Sequence, residues 1–534
     1  MRFRVQKMSE PLQTLERKFK ETCKIVLGEP VGDLQEFLPW LSIHPGQISA
    51  KKSSVSGKQV VFTRMEYEGN RFISLDEVDF SKKYPKINPA SMAGIVSLAK
   101  TLSDRFYYAG NLILGNSNFV ESSTNISDCH YAYEAIQATN SKYIFKCNHG
   151  REDDSLFGVY GSGESSFCLS CSQLVRVKRS METWVSNNSS DCYYCYGLDS
   201  CSNCIFCFHL KNRRYCVGNV QLEPEEYDRI KQRLLSEIRG ILKKEKKIPS
   251  LVDVARKCRL SIPPLSQTRR DENSTEVTNK RRIENEFALT FLVLFGHAPE
   301  SIDKYEQFLR RHVRLSQTCK SAASGKSIEM CTHALFRINL PPERILCMAE
   351  AEELGEKYDI GKDAAQTISM QNAHEKISKI AFFDADFWEG QNSNIIDCVV
   401  PVESSDCYKS VAMVYSKNCA YTFWPVNSSN CFGCDTIFHS SSCINCYHSV
   451  KLSRCFELDS CRDCSDSLFC HNIENCSNCL FCFNVKAKRY AIGNVEYPKE
   501  EYLKLKKKIL MELSQKLEKD KNLDISIFNI GCKK

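Results

Sequence analysis

The chain lacks any long hydrophobic run. No window in its 534 residues approaches 18 uncharged apolar residues, so we predict no membrane-spanning helix. The first twenty residues, MRFRVQKMSEPLQTLERKFK, lack the apolar core of a secretory signal peptide and resemble an amphipathic helix. We therefore expect an intracellular protein, cytoplasmic or assembled into a particle made in the cytoplasm. In that reducing compartment its 30 cysteines would be free thiols or metal ligands.

Catalytic motifs are also scarce. The stretch KSAASGKS (320–327) resembles a phosphate-binding loop, but Lys320 stands where the first glycine of that loop is needed. A turn between two strands is the favoured interpretation. No His-Glu-x-x-His or cysteine–histidine catalytic spacing occurs, and we expect the histidines near cysteines to face solvent. These histidines are His209, His448 and His471.

Neither carboxylate pairs nor net charge point to a substrate. Asp153-Asp154 and Asp384/Asp386 have no sequence context typical of acid–base catalysis. A net charge of +7 is mild over this length, and it permits contact with nucleic acid without indicating it. Two basic clusters in corresponding places would supply phosphate contacts, although a solvated face is the favoured interpretation. The clusters are Lys211, Arg213 and Arg214, and Lys486, Lys488 and Arg489.

What the sequence does contain is an internal repeat. A shift of 275 places DSCSNCIFCFHLKNRRYCVGNVQLEPEEYDRIKQRLL, from Asp199, on ENCSNCLFCFNVKAKRYAIGNVEYPKEEYLKLKKKIL, from Glu474. Upstream, a shift of 268 pairs Gly28 with Gly296 and Ser56-Gly57-Lys58 with Ser324-Gly325-Lys326. We therefore predict that two copies of one plan follow each other along the chain.

Each copy has three parts in the same order, so we predict six segments in all. We expect the fold to be mainly β, with some α-helices. A mixed α/β segment precedes a cysteine-rich segment, and a charged amphipathic helix that begins at proline follows it. The predicted segments are 1–103 (mixed), 104–222 (first cysteine-rich β-solenoid), 223–282 (capping helix and basic linker), 283–381 (mixed), 382–495 (second cysteine-rich β-solenoid) and 496–534 (capping helix and tail).

The cysteines of the second copy recur every 12 residues, at 407, 419, 431, 443 and 455. A period of 12 without helical spacing is typical of a solenoid with one short coil per repeat, in which neighbouring coils lie roughly 4.8 Å apart. So thin a coil has room inside only for small residues such as Cys, Ser, Ala and Thr. The first copy keeps the same frame later on, and we interpret a change of frame near Glu152–Asp154 as an insertion.

Three roles are open for the cysteines. Core packing is favoured, because cysteine is readily buried as a small hydrophobe. Zinc is the second interpretation, because Cys-x2-Cys is a ligand spacing, and the cysteines crowd near the end of each cysteine-rich segment. Native disulfides rank last in a reducing compartment. The candidate zinc ligands are Cys192, Cys195, Cys201, Cys204 and Cys207, and Cys461, Cys464, Cys470, Cys476, Cys479 and Cys482.

The open ends of such solenoids need covers, because exposed sheet edges invite aggregation. We predict that the helices after Tyr215 and Tyr490 cap one end, with a Gly-Asn turn from coil to helix. We predict that aromatic rows close the other end. These rows are Phe106-Tyr107-Tyr108, Phe382-Phe383 and Phe387-Trp388.

This order of a Gly-Lys turn, a cysteine ladder and a terminal helix resembles a group of uncharacterised cysteine-rich proteins of candidate-phylum bacteria. The resemblance covers 191–235 and 466–510 closely, and SVSGKQVVFTRMEYEGNRFISLDEV, from Ser54, less closely. Those proteins open with a zinc ribbon and have no established activity. Here Leu38-Pro39-Trp40-Leu41 stands where the ribbon would have Cys-Pro-x-Cys, so the resemblance implies a lost ribbon site in a doubled unit.

The sequence therefore favours a non-enzymatic structural scaffold or interaction protein within a larger assembly, such as a virion, a sheath or a multi-subunit complex. Long regular flanks suit lateral packing against other proteins. Two alternatives stay open. One is a zinc-thiolate protein that binds nucleic acid through the basic clusters, and the other is a solenoid enzyme acting on carbohydrate.

Overall fold

The computed structural model describes residues 9–45, 48–64, 66–68, 71–87, 94–265, 279–314, 316–331, 340–384 and 386–532. Its largest features are a 14-stranded and a 15-stranded sheet, both mainly parallel, which coincide with the two predicted cysteine-rich segments. The prediction of a mainly β protein with helices is confirmed. We call the first sheet, residues 113–221, the first ladder and the second sheet, residues 393–496, the second ladder.

The strands of both ladders are short. Those of the first ladder are Ile113–Leu114, Asn118–Glu121, Thr124–Ser127, His130–Tyr133, Ile136–Thr139, Lys142–Arg151, Asp154–Gly163, Ser166–Leu169, Ser172–Val175, Lys178–Asn187, Ser190–Tyr196, Ser202–Ile205, Arg214–Val217 and Val220–Gln221. Those of the second ladder are Ser393–Ile396, Ser405–Tyr408, Lys417–Ala420, Phe423–Val426, Ser429–Phe432, Asp435–Phe438, Ser441–Ile444, Tyr447–Ser453, Phe456–Asp459, Arg462–Ser465, Leu468–Glu474, Ser477–Leu480, Phe483–Lys486, Arg489–Ile492 and Val495–Glu496.

Four long helices flank the ladders: α1 (Glu10–Leu27), α2 (Pro224–Glu245), α3 (Lys280–Phe295) and α4 (Lys499–Asp520). None of the helices in the described ranges combines the length and hydrophobicity needed to cross a bilayer. The shorter α-helices are Leu38–Leu41, Ile95–Thr101, Leu251–Lys257, Glu306–Arg310, Met348–Lys357, Lys362–Thr367 and Ala373–Lys376. Further strands within the described ranges are Ala50–Lys52, Gln59–Val61, Phe72–Ser74, Tyr108–Gly110, Ser316–Lys320, Ser327–Cys331, Ile345–Leu346 and Phe383–Asp384.

Strand pairing in the ladders repeats every 12 residues. Lys142 pairs with Asp154, and Asp154 pairs with Ser166, each in parallel register. The second ladder has the same spacing, for example between Ser429 and Ser441. The predicted insertion at Glu152–Asp154 is wrong, because the register passes through it unchanged. The cysteines had only moved from one inward-facing column to the next, three residues away.

Each 12-residue coil turns four corners. Nearly every third residue is in the left-handed region, as at Asp128 (φ 54°), Tyr131 (φ 58°) and Glu134 (φ 46°). The residue after each corner points inward, and Cys129 and Ala132 have no exposed surface. Left-handed backbone costs an L-residue about 1–2 kcal/mol, and the parallel hydrogen bonds to the coils above and below offset this cost.

Each ladder ends in a short antiparallel strand pair that is followed by a helix. Arg214–Val217 turns back through Gly218-Asn219 into an antiparallel pairing with Val220–Gln221, and helix α2 follows. Both turn residues have positive φ, 56° and 68°, as a two-residue type I′ hairpin turn requires. The second ladder ends in the same way before α4, through Gly493-Asn494.

Each mixed segment is divided between the two ladders. Residues 15–41 pack against the first ladder, whereas the described apolar residues between 60 and 108 belong to the core around the second ladder. Conversely, residues 283–309 pack against the second ladder, and the described apolar residues between 328 and 383 belong to the core around the first. Each half of the chain therefore exchanges one segment with the other.

Two small parallel sheets mark this exchange. Phe72–Ser74 pairs with Tyr108–Gly110, and the Tyr108 ring lies 5.7 Å from Phe483 in the second ladder. In the other half, the Phe383 ring lies 4.9 Å from Tyr196 of the first ladder. The prediction that these aromatic rows close the N-terminal ends is therefore wrong for Phe106–Tyr108 and Phe382–Phe383. They pack against the C-terminal coils of the opposite ladder.

Part of the predicted linker is not solvated. Residues Leu251–Lys257 form a helix whose Leu251 is fully buried. The backbone N–H of Leu251 donates a 3.0 Å hydrogen bond to the buried carboxylate of Glu182. Residues 266–278 of the linker lie outside the described residues.

Candidate interaction surfaces

The cysteines of the ladders line the interior. The Cys201 Sγ lies 3.3 Å from the carbonyl oxygens of both Asp199 and Leu210, so its S–H can donate to either. The Ser428 hydroxyl likewise donates to a backbone carbonyl, the Val426 oxygen, at 2.9 Å. It also accepts a hydrogen bond from the backbone N–H of Ser440 in the next coil. Cysteine and serine therefore fill one structural role, which is to satisfy backbone groups inside the coil.

Two of the candidate zinc ligands show this interchange directly. At a shift of 275, Cys461 and Cys464 of the second ladder occupy the places of Ser186 and Ser189 in the first. All four side chains are buried, and each lies within hydrogen-bond distance of the carbonyl oxygen two residues before it. A site that accepts either residue requires a small hydrogen-bonding group rather than a thiolate ligand.

The candidate ligands are stacked along the ladder axis, one coil above the next. Cys192 pairs in register with Cys204, and Cys204 with Cys216, one coil apart each time. Over the part of the chain that the structure describes, no three His, Cys, Asp or Glu side chains are placed to hold a metal ion. Burial raises the pKa of Cys398 to about 12 and that of Cys461 well above its usual value, whereas hydrogen bonds with the Cys464 and Cys479 thiols lower the pKa of Cys476. Zinc binding stays a prediction.

The basic clusters lie beside carboxylates or amides. The Lys211 Nζ is 2.7 Å from Glu352, and the Lys486 Nζ is 2.7 Å from Glu474. Lys488 lies 4.0 Å from Glu496, and Arg213 donates to the Gln221 side chain. The last members of the two clusters, Arg214 and Arg489, are exposed on the final parallel rung of each ladder. These pairings reduce the positive charge available for phosphate contacts.

His448 and His471 are buried, so the prediction that the histidines near cysteines face solvent is wrong for these two. His471 is fully buried, and its Nε2 accepts a 2.9 Å hydrogen bond from the Ala109 backbone N–H. Its Nδ1 therefore carries the proton and donates to Asp459 at 2.8 Å. His209 is partly exposed, and its Nε2 lies 2.9 Å from the Phe382 oxygen. These rings fasten the exchanged segments to the ladders.

Asp153 is also an interior residue. Its carboxylate occupies an inward column and accepts hydrogen bonds from the backbone of Arg151 and Ser165 and from the Ser162 hydroxyl. Burial raises the pKa of Asp153 to about 7, although these hydrogen bonds oppose the shift. The other carboxylate of the predicted pair, Asp154, lies on the outer face beside Lys142. The two carboxylates therefore do not share one environment.

A shallow groove of about 340 Å³ opens on the outer face of the second ladder. It is lined by Glu403, Tyr415, Lys417, Asn427 and neighbouring serines. Glu403 is the one carboxylate among the lining residues, whereas glycoside hydrolysis uses a pair. The residues that line the groove therefore include no pair of carboxylates.

Beside the groove runs a row of five apolar side chains, which we call the stripe. Its members are paired in register one coil apart and are partly exposed. The corresponding column of the first ladder, at a shift of 275, is Ser127, Thr139, Arg151, Gly163 and Val175. The stripe consists of Val402, Val414, Val426, Phe438 and Val450.

A second set of exposed apolar side chains lies on α3 and α4, which contact each other. We call it the helical patch. Its five side chains are between 42% and 59% exposed. The corresponding residues of α1 and α2 are Glu21, Lys24, Ile25, Asp228 and Ser236, four of them polar. The helical patch consists of Leu289, Leu292, Val293, Leu503 and Met511.

Sequence reasoning missed both surfaces. The signal was present, since comparing the two copies position by position shows where polar residues of one become apolar in the other. Comparisons with known proteins give no further guidance, because no family model, curated protein or solved structure matches the chain. The resemblance to candidate-phylum ladder proteins stays a prediction, and function has to be argued from the surfaces themselves.

Proposed function

We propose that this protein is a non-enzymatic structural scaffold that binds other proteins within a larger assembly, such as a virion, a sheath or a multi-subunit complex. Its two ladders are 12-residue β-solenoids that arose by duplication within the chain. The 12-residue register that follows the first pairing of each ladder and the regular left-handed corners support the solenoid interpretation.

Close contacts that recur at the repeat spacing support the duplication. A Cβ added to Gly158 would lie 2.8 Å from the Leu41 oxygen, and one added to Gly433 would lie 2.6 Å from the Leu309 oxygen. These two contacts are related by the shifts of 275 and 268 found in the sequence. Both glycines are left-handed, with φ of 70° and 65°, so the same strained close approach occurs twice.

The observation that carries the proposal is the helical patch. Exposed leucine, valine and methionine on two adjacent helices leave an apolar surface in water, and such surfaces mark contacts with other proteins. The first copy has the same helices without this surface. The apolar residues are therefore not needed for the fold, and a contact made only by the second copy accounts for them.

The carboxylates support a non-enzymatic role. Glu182 and Glu457 are fully buried. Their carboxylates accept hydrogen bonds from backbone N–H groups of the segments that follow α2 and α4. Asp459 is likewise buried in hydrogen bonds with Tyr67 and His471. Groups held in this way stabilise the fold and offer no reacting atom to a substrate.

A matched pair of substitutions tests the proposal in the source cells. Val293→Glu places a charge in the helical patch, and Ile25→Glu places the same charge at the corresponding site of α1. We expect the wild-type protein and Ile25→Glu to sediment in a large particle at a fixed ratio to other components. Val293→Glu is expected to sediment as the free chain. A wild-type protein that sediments alone, or a Val293→Glu protein that stays in the particle, would contradict the proposal.

A further inference from the structure

The exposed residues of α3 carry positive charge and no negative charge. They comprise three members of the helical patch, one asparagine and two arginines. The exposed residues of α1, by contrast, include two carboxylates, Glu10 and Glu21. Helix α3 has carboxylates only at Glu284 and Glu286, and both are partly buried. The exposed residues of α3 are Arg281, Arg282, Asn285, Leu289, Leu292 and Val293.

The two arginines lie at an unfavourable place on the helix. Lys280, Arg281 and Arg282 form the first turn of α3, which has no acidic residue. Cations in a first turn are repelled by the positive end of the helix dipole. Lys280 pairs with Asp303, and Arg282 lies 3.8 Å from Asp406. Within the described residues Arg281 has no ion pair, so no contact of the fold itself accounts for its charge.

The middle of α4 has the same character. Leu503, Lys507 and Met511 are four residues apart, so they lie in one row along the helix. Lys504 and Lys507 have no ion pair within the described residues. The corresponding row of α2, at a shift of 275, is Asp228, Gln232 and Ser236, with a carboxylate and no cation. Between the first and last turns of α4, the exposed residues are Leu503, Lys504, Lys507, Lys508, Met511 and Gln515.

The carboxylates of α4 lie at its ends or are already bound. Glu500 and Glu501 are in the first turn, where the helix dipole favours negative charge. Glu512 accepts a 2.7 Å hydrogen bond from the Ile95 backbone N–H and pairs with Lys516. The middle of α4 is therefore basic and apolar, whereas its two ends are mixed in charge. The remaining carboxylates, in the last turn, are Glu518 and Asp520.

We propose that the helical patch binds an acidic amphipathic helix of another protein in the assembly. Apolar side chains of that helix would pack on the patch, and its aspartates and glutamates would face Arg281, Lys504 and Lys507. One partner can contact both helices, because α3 and α4 touch and the His297 and Ser514 side chains lie within hydrogen-bond distance. This inference deepens the proposed scaffold function and rests on it, because it names the chemistry of one partner.

An anionic membrane is the other surface that basic and apolar side chains could meet. Helices that lie on membranes insert a broad apolar face, often with aromatic residues. The apolar faces of α3 and α4 are instead buried in the core around the second ladder. The helical patch that remains is five side chains, between 42% and 59% exposed, and none of them is aromatic. These observations favour a protein partner.

A charge reversal tests the inference in the purified full chain. The probe is a labelled synthetic peptide with leucine at helical spacing and glutamate elsewhere, and its fluorescence anisotropy reports binding. We expect wild type to bind it, and added salt to weaken the binding. The double variant Lys504→Glu and Lys507→Glu should bind it roughly tenfold or more weakly, because two attractions become repulsions.

Two controls accompany this variant. The same peptide with lysine in place of glutamate should bind the double variant better than it binds wild type. Arg229→Glu with Gln232→Glu, at the corresponding sites of α2, should bind the acidic peptide as wild type does. The inference is overturned if wild type does not bind the acidic peptide or if the double variant binds it equally well. Binding to phosphatidylserine–phosphatidylcholine vesicles that the double variant abolishes would overturn it too, in favour of a membrane.

Sedimentation from the source cells separates this inference from the scaffold proposal. If Val293→Glu leaves the particle and the Lys504→Glu and Lys507→Glu variant stays in it, the scaffold proposal holds and the acidic partner is wrong. If wild type sediments alone yet binds the acidic peptide through these lysines, the scaffold proposal fails and the binding chemistry holds.

Discussion

The hydroxyl of Tyr67 donates a 2.6 Å hydrogen bond to the carboxylate of Asp459, although 392 positions separate the two residues. The same carboxylate oxygen accepts a 2.8 Å hydrogen bond from Nδ1 of His471. Both residues of the Tyr67–Asp459 pair are buried, so this contact holds a segment of the first mixed region against the second ladder. The exchange of segments between the halves therefore depends on hydrogen bonds as well as on apolar packing.

Removing the Tyr67 hydroxyl should loosen that segment. Tyr67→Phe leaves Asp459 buried with one donor fewer, which should cost about 1–3 kcal/mol. We expect hydrogen exchange to accelerate in residues 71–74 and 108–110 and to stay unchanged in the first ladder. Tyr415→Phe, at a site that is 59% exposed, is the control and should change nothing. Uniform acceleration of hydrogen exchange over the whole chain would mean that the exchanged segment does not open as a separate unit.

The close approach of Gly433 to Leu309 should not tolerate a side chain. Gly433→Ala meets both the steric contact and the left-handed backbone, and we expect a loss of about 2 kcal/mol or more, read from the urea midpoint. Gly325→Ala has a similar φ of 70° with no atom near its added Cβ, so it should lose only about 1 kcal/mol. Equal losses would show that the neighbouring helix moves aside freely.

Asp153 should make stability depend on pH. Its pKa, usually near 3.8, is about 7 in the folded chain. The folded state therefore holds a proton that the unfolded state has released between these values, and stability is lost as pH rises through about 7. Asp153→Ser supplies the residue found one coil before and one coil after, at Ser141 and Ser165. The variant should be more stable than wild type at pH 8, by an amount on the order of a few kcal/mol.

This advantage of Asp153→Ser should shrink as the pH falls toward 4, and denaturant midpoints at several pH values would show it. Asp154→Ser changes the neighbouring carboxylate on the outer face and is the matched control. It should keep the wild-type dependence on pH. If both variants behave alike, the buried carboxyl group does not set the pH response.

The thiols should be free and individually replaceable by serine. Protein purified without chelator should contain no stoichiometric zinc and titrate for close to 30 thiols in denaturant. Cys470→Ser keeps a donor to the Leu468 oxygen and an acceptor for the Cys482 N–H, so it should cost less than about 1 kcal/mol. Cys470→Val keeps the bulk but loses both bonds, and should cost about 1–3 kcal/mol. Zinc that is lost from Cys470→Ser would revive the metal interpretation.

The sequence predicted the features that are periodic along the chain. The 12-residue spacing, the burial of the cysteines and the Gly-Asn turn at Gly218 all follow from short-range pattern and turn chemistry. The position of Tyr108 against Phe483 could not be predicted, because it depends on how two distant segments pack. The burial of His471 could not be predicted for the same reason, since the segment that covers it belongs to the other half of the chain.

The exchange of segments has a consequence for how such a protein can change in evolution. Gaining or losing one 12-residue coil leaves the faces of a ladder unchanged, and alters its length by roughly 4.8 Å. Here, however, Tyr108 must reach Phe483, and Phe383 must reach Tyr196. A coil gained by one ladder alone would shift one of these contacts and not the other. The two ladders are therefore expected to lengthen or shorten together, so that relatives of this chain should differ by coils in matched pairs.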